Sequence, residues 1–409
     1  MARIVGSAFD AAIEVLRRNS VEGGLRASAN YYNQVWARDS FISFQGANLL
    51  GDEKLLACAR RNVLTFSKTA SPLGQIANFL DLESKRPEYG YSGSTDSSSW
   101  YIIGLASLFR ATGDRGLLRG PYDAAKDAYR WLRYQDANNA WLIDSPPGAD
   151  WMDAAIQRAG KTLYNNALFL MANRCMESLA SNLDAGLSYP APDTRELEER
   201  FRDVFLPGNG SPARLEKYWP RLADGLRKGQ LERPAPGYFL HYVSFHRMDL
   251  RFDTLSNLLC VLGGIAGAKA SRTILETIRR RKLSDPFPVR VLDPPYTVEG
   301  ASYDRSFDSS LPPQHRSRPY EYHNGAVWPF VGGVHVSTLY LKGDPSAARE
   351  LENLARANFV FKKGERVGFN EWLHGKTGKP MGQFGQSWNA GMFIAASLAA
   401  KGKQPFRHD

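Results

Sequence analysis

Two carboxylic acids stand on either side of a tryptophan and a methionine in the segment Asp150-Trp151-Met152-Asp153, which follows a stretch rich in proline and glycine. A carboxyl group set against large apolar side chains loses hydration, which disfavours its charged form and raises its pKa. A general acid that works near neutral pH needs such a raised pKa. The pattern therefore predicts that Asp153 can protonate a leaving oxygen. Ordinary turn residues are the alternative interpretation of both acids.

A second candidate acid, Glu371, lies between Asn370 and Trp372 in a segment punctuated by glycines. A glutamate is usually exposed to solvent, so a position on a surface loop is the ordinary interpretation. The dense aromatic and polar setting favours a role in a site instead. There Glu371 would act as a general base that activates a water molecule opposite Asp153.

The segment that ends at Ser40 combines Trp36, Arg38 and Asp39. Asp39 or Ser40 can cap a helix, and Arg38 with Asp39 can form a surface ion pair. In a binding site, the same residues would offer a flat indole face for a sugar ring and a charged fork for neighbouring hydroxyl groups. Asp96 also has two interpretations, as part of a capped helix start or as a carboxylate that binds a hydroxyl.

Further candidate binding residues share a polar or aromatic side chain and a position close to a connection between predicted helices. They are Tyr32, Asp150, Trp151, Asn166, His323, Asn324, Trp328, Trp372, Gln386 and Trp388. Buried aromatic residues on inner helices are often part of the core, so Trp328 and Trp388 also have a packing interpretation. His323 and Asn324 are the better candidates for contacts with hydroxyl groups.

Helices must position these segments, because apolar residues recur at three- and four-residue intervals along most of the chain. The predicted helices cover residues 6–19, 40–50, 53–68, 95–112, 122–135, 163–182, 193–205, 253–263, 269–279, 324–341, 345–361 and 386–400. Short connections such as Gly51-Asp52 make antiparallel hairpins of neighbouring helices. Twelve helices in six hairpins predict an all-α fold, the (α/α)6 toroid, in which an outer ring of helices surrounds an inner ring.

The candidate segments fall between paired helices, and alternate connections of such a toroid meet at one rim. We therefore expect one site at a single mouth. Residues 237–243 alternate in polarity and are rich in β-forming side chains, which predicts a short β-hairpin over one end.

The composition is that of a globular protein, with 43% apolar and 12% aromatic residues among 409. No linker interrupts the helical pattern, so we expect a single domain, residues 1–409. The net charge of +10 comes from scattered basic residues, and the longest basic run, residues 279–282, falls at a predicted helix end, where the helix dipole favours it. A nucleic-acid partner is therefore not expected.

The chain contains no uncharged apolar stretch of about 18 residues, so no membrane span is expected. Cys58, Cys175 and Cys260 are far apart and lack the CxxC spacing of a zinc site. An odd number of dispersed cysteines favours a reducing cytoplasm over a disulfide framework. We expect neither a metal nor a cofactor.

Taken together, the motifs resemble the (α/α)6 glycoside hydrolases that include the neutral/alkaline invertases of family 100 and the glucosidase domain of glycogen debranching enzymes. The resemblance is carried by Tyr32-Asn33-Gln34-Val35 with Arg38-Asp39, Asp96-Ser97 with Trp100-Tyr101-Ile102-Ile103, Trp151-Met152-Asp153-Ala154, Asn166-Ala167-Leu168, and Tyr322-His323-Asn324-Gly325 with Val327-Trp328-Pro329. By this likeness, Asp153 matches the general acid, and Glu371 matches the general base or partner carboxylate, of an enzyme that inverts the anomeric centre without a metal. The implied substrate is a short α-glucoside or a sucrose-type saccharide.

Two departures count against sucrose. Invertases usually carry Phe-Val-Arg-Asp-Phe where this chain has residues 36–40, and Pro-Glu-Tyr-Tyr where it has residues 370–373. A sugar epimerase or isomerase on the same toroid is the main alternative, in which histidines would move protons. The histidines available for that role are His241, His246, His323 and His374. A saccharide-binding protein without activity is the second alternative, and the sequence leaves a homo-oligomer open.

Overall fold

The structure, a computed structural model, describes residues 2–90, 94–182, 193–206, 211–228, 237–244, 247–361, 364 and 367–406. Its α-helices are α1 (Ala2–Asn19), α2 (Ala37–Leu50), α3 (Glu53–Lys68), α4 (Thr95–Thr112), α5 (Pro121–Arg133), α6 (Leu163–Asn182), α7 (Thr194–Phe205), α8 (Ser211–Leu215), α9 (Pro220–Arg227), α10 (Thr254–Leu262), α11 (Ala268–Arg280), α12 (Arg305–Ser310), α13 (Pro329–Leu341), α14 (Ala347–Asn358) and α15 (Ser387–Ala399). Two short 3₁₀ helices, Arg115–Leu118 and Pro313–His315, lie in connections.

Six helices form a closed inner ring in which each packs against the next, in the order α2, α4, α6, α10, α13 and α15, with α15 returning to α2. A second set surrounds them: α1 packs on α15, α3 on α2, α5 on α4, α7 on α6, α11 on α10 and α14 on α13. The chain alternates between the two rings, so all inner helices run in the same direction. This arrangement is the predicted (α/α)6 toroid, which is confirmed.

The distribution of apolar residues explains which helices lie inside. All thirteen residues of α15 are buried, and its sequence contains no Asp, Glu, Lys or Arg. Helix α11 instead buries one face, with Ile274, Leu275 and Ile278 at the spacing of helical turns, and carries basic residues in its last turn. A helix that is apolar all round must be covered on all sides, whereas an amphipathic helix needs cover on one side.

The strands are two or three residues long: β1 (Ser20–Val21), β2 (Gly24–Leu25), β3 (Gln34–Trp36), β4 (Phe79–Asp81), β5 (Pro87–Glu88), β6 (Lys161–Thr162), β7 (Tyr242–Ser244), β8 (Arg247–Asp249), β9 (Phe252–Asp253), β10 (Leu292–Asp293), β11 (Trp372–Leu373) and β12 (Pro380–Met381). They pair antiparallel as β3-β4-β5, β6-β7-β8, β1-β2, β9-β10 and β11-β12. Strands β3, β6 and β9 each end directly before an inner helix, so these sheets frame the rim where inner helices begin.

The twelve predicted helices correspond to the twelve helices of the two rings, and the predicted limits of α3, α4 and α6 agree with the structure. The prediction for α13 began too early, at residue 324. The helix begins at Pro329, because the Val327 N–H bonds to the Leu373 carbonyl oxygen in a β-bridge and proline favours the first helical position. The short helices α8, α9 and α12 were not predicted. The β-hairpin lies later than predicted, since its first strand starts at Tyr242.

Two glycines allow the inner helices α2 and α15 to approach closely. A Cβ atom placed on Gly46 would lie 1.8 Å from the Gly391 carbonyl oxygen, and one on Gly391 would lie 2.4 Å from the Ser43 carbonyl oxygen. Backbone oxygens can move only if the helix that carries them moves. Closure of the inner ring at this point therefore requires both positions to lack a side chain.

We expect the substitution Gly46→Ala to lower the free energy of unfolding by about 2 kcal/mol or more, because the added methyl group overpacks the contact between α2 and α15. Gly6→Ala is the matched control, since Gly6 is also helical but a Cβ there meets no atom within 4 Å. That variant should be about 0.5 to 1 kcal/mol more stable than the wild type. Thermal and urea unfolding followed by circular dichroism would measure both. Equal unfolding midpoints for Gly46→Ala and the wild type would contradict the close packing.

Candidate active site

The first turns of the inner helices meet at one mouth of the toroid. Arg38 in the first turn of α2 donates to Asp96 in the first turn of α4 at 3.1 Å, and the Tyr164 hydroxyl of α6 donates to the same carboxylate at 3.2 Å. On the other side of the ring, the Phe330 N–H of α13 donates to the Asn389 side chain of the neighbouring helix α15 at 2.9 Å. Helix N-termini carry partial positive charge, so this mouth suits negatively charged groups.

A cavity of about 440 Å³, measured with its open mouth, lies at this end. Its lining consists of Ala27, Tyr32, Trp36, Arg38, Asp39, Trp151, Asp153, Tyr322, His323, Trp328, Glu371 and Trp388. All of these except Ala27 and Tyr322 were predicted from the sequence as site residues. The structure thus brings Asp153 and Glu371, which are far apart in the chain, to the same cavity.

Asp153 lies on the loop before α6, with 29% of its side chain open to the cavity. Burial by the surrounding protein raises its pKa to about 6; Arg38 opposes this rise, and the charges of Asp150 and Asp96 add to it. The Arg38 guanidinium lies 3.6 Å from the Asp153 carboxylate. Asp153 therefore has the raised pKa that its apolar sequence context predicted. Once Asp153 is ionised, the Arg38 guanidinium stabilises its carboxylate.

The loop that carries Asp153 is fixed by its other acid. The Asp150 carboxylate accepts the Met152 N–H at 3.0 Å, which closes a tight turn, and it accepts a 2.6 Å hydrogen bond from Arg158. The Asn165 amide of α6 donates to Asp150 at 2.9 Å. Asp150 is buried and its carboxylate holds the turn, so its contribution to the cavity is the position of Asp153.

Arg38 does not have the free charged fork that the sequence suggested for binding hydroxyl groups. Its guanidinium lies between the carboxylates of Asp96 and Asp153 and is almost fully buried. Burial raises the pKa of Asp96 to about 6, against the opposing effect of Arg38. Arg38 thus offsets part of the charge of Asp96 and Asp153 and links the acid loop to the inner ring.

Glu371 lies directly before β11 and is only 4% exposed, so it is not on the protein surface. Its backbone turns sharply at the nearby Phe369, whose φ is 51°. The carboxylate accepts hydrogen bonds from the Tyr32 hydroxyl at 3.1 Å and from the Gln383 N–H at 3.0 Å. These donors replace the water that Glu371 loses on burial.

Asp39 brings a third carboxylate to the cavity. Burial raises its pKa to about 7; the neighbouring Arg38 lowers it, and the charges of Glu371 and Asp153 raise it further. Three acids and one arginine therefore face the same small space. A cavity of this kind offers several strong hydrogen-bond acceptors and favours ligands rich in hydroxyl groups.

Aromatic rings form the rest of the wall. The His323 ring stacks on Trp328 at 5.3 Å, and the Trp151 ring meets both edge-on at 5.1 and 5.7 Å. Burial holds the pKa of His323 well below its usual value, and the charges of Arg38 and Arg158 add to this. His323 is therefore neutral near pH 7. Flat rings and a neutral imidazole suit the apolar faces and the hydroxyl groups of a sugar.

Six predicted site residues lie outside the lining: Asp96, Asp150, Asn166, Asn324, Trp372 and Gln386. The amides hold loops together. Asn166 bonds to both backbone groups of Ile143, and Asn324 does the same for Tyr296. The Trp372 indole donates to the Gln314 carbonyl oxygen at 3.1 Å, and Gln386 is the buried residue just before α15. The hydrogen bonds of Asn166, Asn324 and Trp372 thus join loops of the rim.

The sequence prediction missed Tyr322 as a wall residue, although it immediately precedes His323 in the motif. Its φ of 43° places it in a sharp turn, and its ring lies 5.2 Å from that of Trp328. Isolated tyrosines carry no signal that separates a cavity wall from a core. The signal that could have identified Tyr322 was its position next to His323, which was itself predicted as a site residue.

Those of the proposed isomerase histidines that the structure describes do not come together at the cavity. His241 is fully buried, 3.1 Å from Asp253, and the His374 imidazole accepts the N–H groups of Lys376 and Thr377 within its own loop. His246 lies outside the described residues. Of the other three, His323 lines the cavity. This arrangement does not favour proton transfer by a pair of histidines.

In the part of the chain that the structure describes, no three His, Cys, Asp or Glu side chains are grouped so that they could hold a metal ion. Among the same residues, no helix combines the length and the apolar character needed to cross a membrane.

A family model described as Amylo-alpha-1,6-glucosidase matches residues 11–395 of the chain. The chain is 28% identical over 341 residues to the Probable alkaline/neutral invertase D of Arabidopsis thaliana. It is 24% identical over 339 residues to the Cytosolic invertase 1 of Oryza sativa subsp. japonica. Each alignment covers 76% of this chain, and the chain spans only 60% and 57% of the lengths of these two relatives.

A similar fold occurs in the GH63 mannosylglycerate hydrolase from Thermus thermophilus. For its complex with Tris and D-glycerate, the TM-score is 0.65 at 16% sequence identity. For its complex with glucose, the TM-score is 0.64 at 15% identity. Both comparisons cover 95% of this chain and 99% of the other. At this low sequence identity, the similarity is evidence for the fold alone.

The raised pKa of Asp39 makes stability depend on pH. The folded protein keeps this proton up to about pH 7, whereas the unfolded chain releases it near 3.8. Between these values the folded state binds more protons, so the free energy of unfolding falls as pH rises, by up to about 1.4 kcal/mol per pH unit for this group. The substitution Asp39→Asn removes this contribution, and we expect a shallower loss of stability between about pH 5 and pH 7.

Urea unfolding at several pH values would test this expectation. The exposed Asp10 on α1 provides the control Asp10→Asn, which should keep the slope of the wild type. If Asp39→Asn loses stability as steeply as the wild type does, Asp39 is ionised in the folded protein and its pKa is not raised.

Proposed function

Because the chain belongs to the amylo-alpha-1,6-glucosidase family, we propose that it is an inverting glycoside hydrolase that acts on a small α-glucoside. The observation that carries the proposal is the meeting of Asp153 and Glu371 in one cavity lined by aromatic rings. An inverting mechanism needs one carboxylic acid to protonate the leaving oxygen and one carboxylate to activate water on the other face of the sugar.

Asp153 serves as the general acid. With a pKa of about 6, a useful fraction of Asp153 is protonated near neutral pH, and its proton passes to the glycosidic oxygen as the bond to C1 breaks. The Arg38 guanidinium at 3.6 Å stabilises the carboxylate that this transfer leaves behind. Glu371 lines the same cavity, and the negative charge of its carboxylate favours the positive charge that develops on the sugar ring in the oxocarbenium-like transition state.

Glu371 serves as the general base. It takes a proton from a water molecule that attacks C1 from the face opposite the leaving group, so the configuration at C1 inverts. The two carboxyl groups of inverting enzymes stand about 6.5 to 9.5 Å apart, which leaves room for that water. In these steps the protein supplies two proton transfers, one to the glycosidic oxygen as its bond to C1 breaks and one from the water as its oxygen bonds to C1.

The sugar is held by the remaining wall. Trp36, Trp151 and Trp388 offer ring faces, and Asp39 accepts hydrogen bonds from hydroxyl groups. Neutral His323 can donate to or accept from a hydroxyl group. The names of the relatives support a small substrate, since two are invertases and a structural neighbour is a mannosylglycerate hydrolase.

We place the enzyme in the cytoplasm, which the name Cytosolic invertase 1 of one relative supports. A core cluster that runs from Ala8 to Phe406 supports a single catalytic domain. A saccharide is the partner that we propose.

The substitutions Asp153→Asn and Glu371→Gln should each lower kcat by at least about 100-fold, because each removes a proton-transfer group without changing side-chain size. Circular dichroism should show both variants folded. Asp10→Asn and Glu22→Gln make the same chemical changes at exposed positions and should keep full activity.

A glycosyl fluoride separates the two roles, since fluoride leaves without being protonated. It should restore turnover to Asp153→Asn but not to Glu371→Gln. Normal activity of both variants on ordinary glycosides would show that this pair does not perform the reaction.

Proton NMR during hydrolysis should show the β-anomer of glucose before mutarotation, if an α-glucoside is inverted. The substrates to compare are sucrose, trehalose, isomaltose, kojibiose and glucosylglycerate. A free monosaccharide serves as the control, because an isomerase would convert it and a hydrolase would not. Release of the α-anomer would rule out inversion, and saccharide binding without cleavage of any substrate would point to a binding protein.

A further inference from the structure

The Glu371 carboxylate is held by two segments from opposite ends of the chain. The Tyr32 segment and the turn at residues 382–384 are themselves joined, because the Ser28 hydroxyl donates to the Phe384 carbonyl oxygen at 2.7 Å. The backbone N–H of Glu371 also donates to the Gln383 carbonyl oxygen at 2.6 Å. Glu371 is therefore tied by its backbone and its side chain to one connected unit.

The Tyr32 ring has a defined place in this unit. It lies edge-on to the ring of Tyr31 at 5.0 Å and to that of Trp36 at 6.5 Å. Trp36 is in turn held by the pairing of β3 with β4, where it faces Phe79. A phenol packed in this way can present its O–H to a carboxylate at little cost in conformational entropy.

Gly382 approaches the same carboxylate from the other side. Its φ is 64°, and a Cβ atom at this position would lie 2.4 Å from Glu371 Oε2 and 2.7 Å from Glu371 Cβ. Any side chain at Gly382 would thus push the carboxylate from its place. The turn can donate the Gln383 N–H to Glu371 because this position has no Cβ.

We propose that Tyr32 is a positioning residue whose hydroxyl, together with the side-chain-free turn at Gly382, orients Glu371 toward the attacking water. The inference rests on the proposed function of Glu371 as the base. It differs from the sugar-binding role that the sequence suggested for Tyr32, because a residue that orients the base affects proton transfer, whereas a residue that binds the sugar affects affinity.

The first experiment compares Tyr32→Phe with the matched control Tyr31→Phe. Loss of a hydrogen bond to a charged group should lower kcat roughly 10- to 100-fold in Tyr32→Phe, with KM changed less than about twofold. The acid limb of the pH profile should move up by roughly one pH unit, because a carboxylate that loses a donor is protonated more easily. Tyr31 is 55% exposed, and Tyr31→Phe should match the wild type in all three respects.

The second experiment compares Gly382→Ala with Gly343→Ala. Both glycines have a φ of 64°, so both substitutions carry the same backbone strain, but a Cβ on Gly343 meets no atom within 4 Å. We expect kcat to fall by at least about tenfold in Gly382→Ala alone, with KM and the circular dichroism spectrum largely unchanged. Equal kcat values for the two variants would overturn the role of Gly382.

The third experiment needs no substrate. Carbon-13 NMR of protein labelled at the glutamate carboxyl, with the Glu371 signal assigned from its absence in Glu371→Gln, follows the titration of this one group. In Tyr32→Phe the titration should move to higher pH. An unmoved titration, or a higher KM with an unchanged pH profile, would overturn the positioning role. Full turnover by Glu371→Gln would instead overturn the proposed function, while a shifted titration would still establish the hydrogen bond.

Discussion

A carboxylate cannot be buried unless an opposite charge or several donors replace the water that it loses, and the mouth of this toroid buries several carboxylates. Two buried arginines meet part of that requirement. Each bridges a pair of acids from different parts of the chain: Arg38 joins Asp96 to Asp153, and Arg158 joins Asp150 to Asp253. The contacts that neutralise the mouth are therefore also the contacts that fix the acid loop against the inner ring.

The arginines are too few to neutralise every acid, and this imbalance gives the cavity its chemistry. Asp153 and Asp39 retain raised pKa values of about 6 and about 7 because burial outweighs the single charge of Arg38. Glu371 is held in a different way, by neutral donors from Tyr32 and Gln383. Two carboxyl groups in one cavity thus have distinct environments, which is what separate acid and base roles require.

The parallel direction of the inner helices adds positive charge at the mouth of the toroid. Six N-termini at one mouth supply partial positive charge that does not depend on any side chain. The C-terminal ends of the same helices carry partial negative charge, which disfavours acids there. The positive charge of the N-termini favours the acids in the first turns of the inner helices, Asp39 in α2 and Asp96 in α4.

Local patterns in the sequence account for most of the framework. Helix α6 could be predicted in full because apolar residues recur along its whole length. Helix α4 could be predicted because a serine and a threonine mark its start and a glycine marks its end. The start of α13 could not, because Val327 pairs with Leu373, which lies 46 residues further along the chain, and no local pattern records that pairing. Helix α12, with six residues, is too short for a periodic signal.

The sequence alone determined the twelve ring helices, the family resemblance and the acid Asp153 in its apolar setting, since these depend on neighbours within a few residues. Only the tertiary structure decided which polar residues face the cavity. In the sequence, Asp96 and Asp150 look as suited to a site as Asp39 and Asp153 do. In the structure, Asp96 and Asp150 lie outside the cavity lining and accept hydrogen bonds from Arg38 and Arg158. The environment of Glu371 likewise depends on Tyr32, which is 339 residues away in the chain. Burial and pairing are set by partners that come together only when the ring closes, so no local pattern records them.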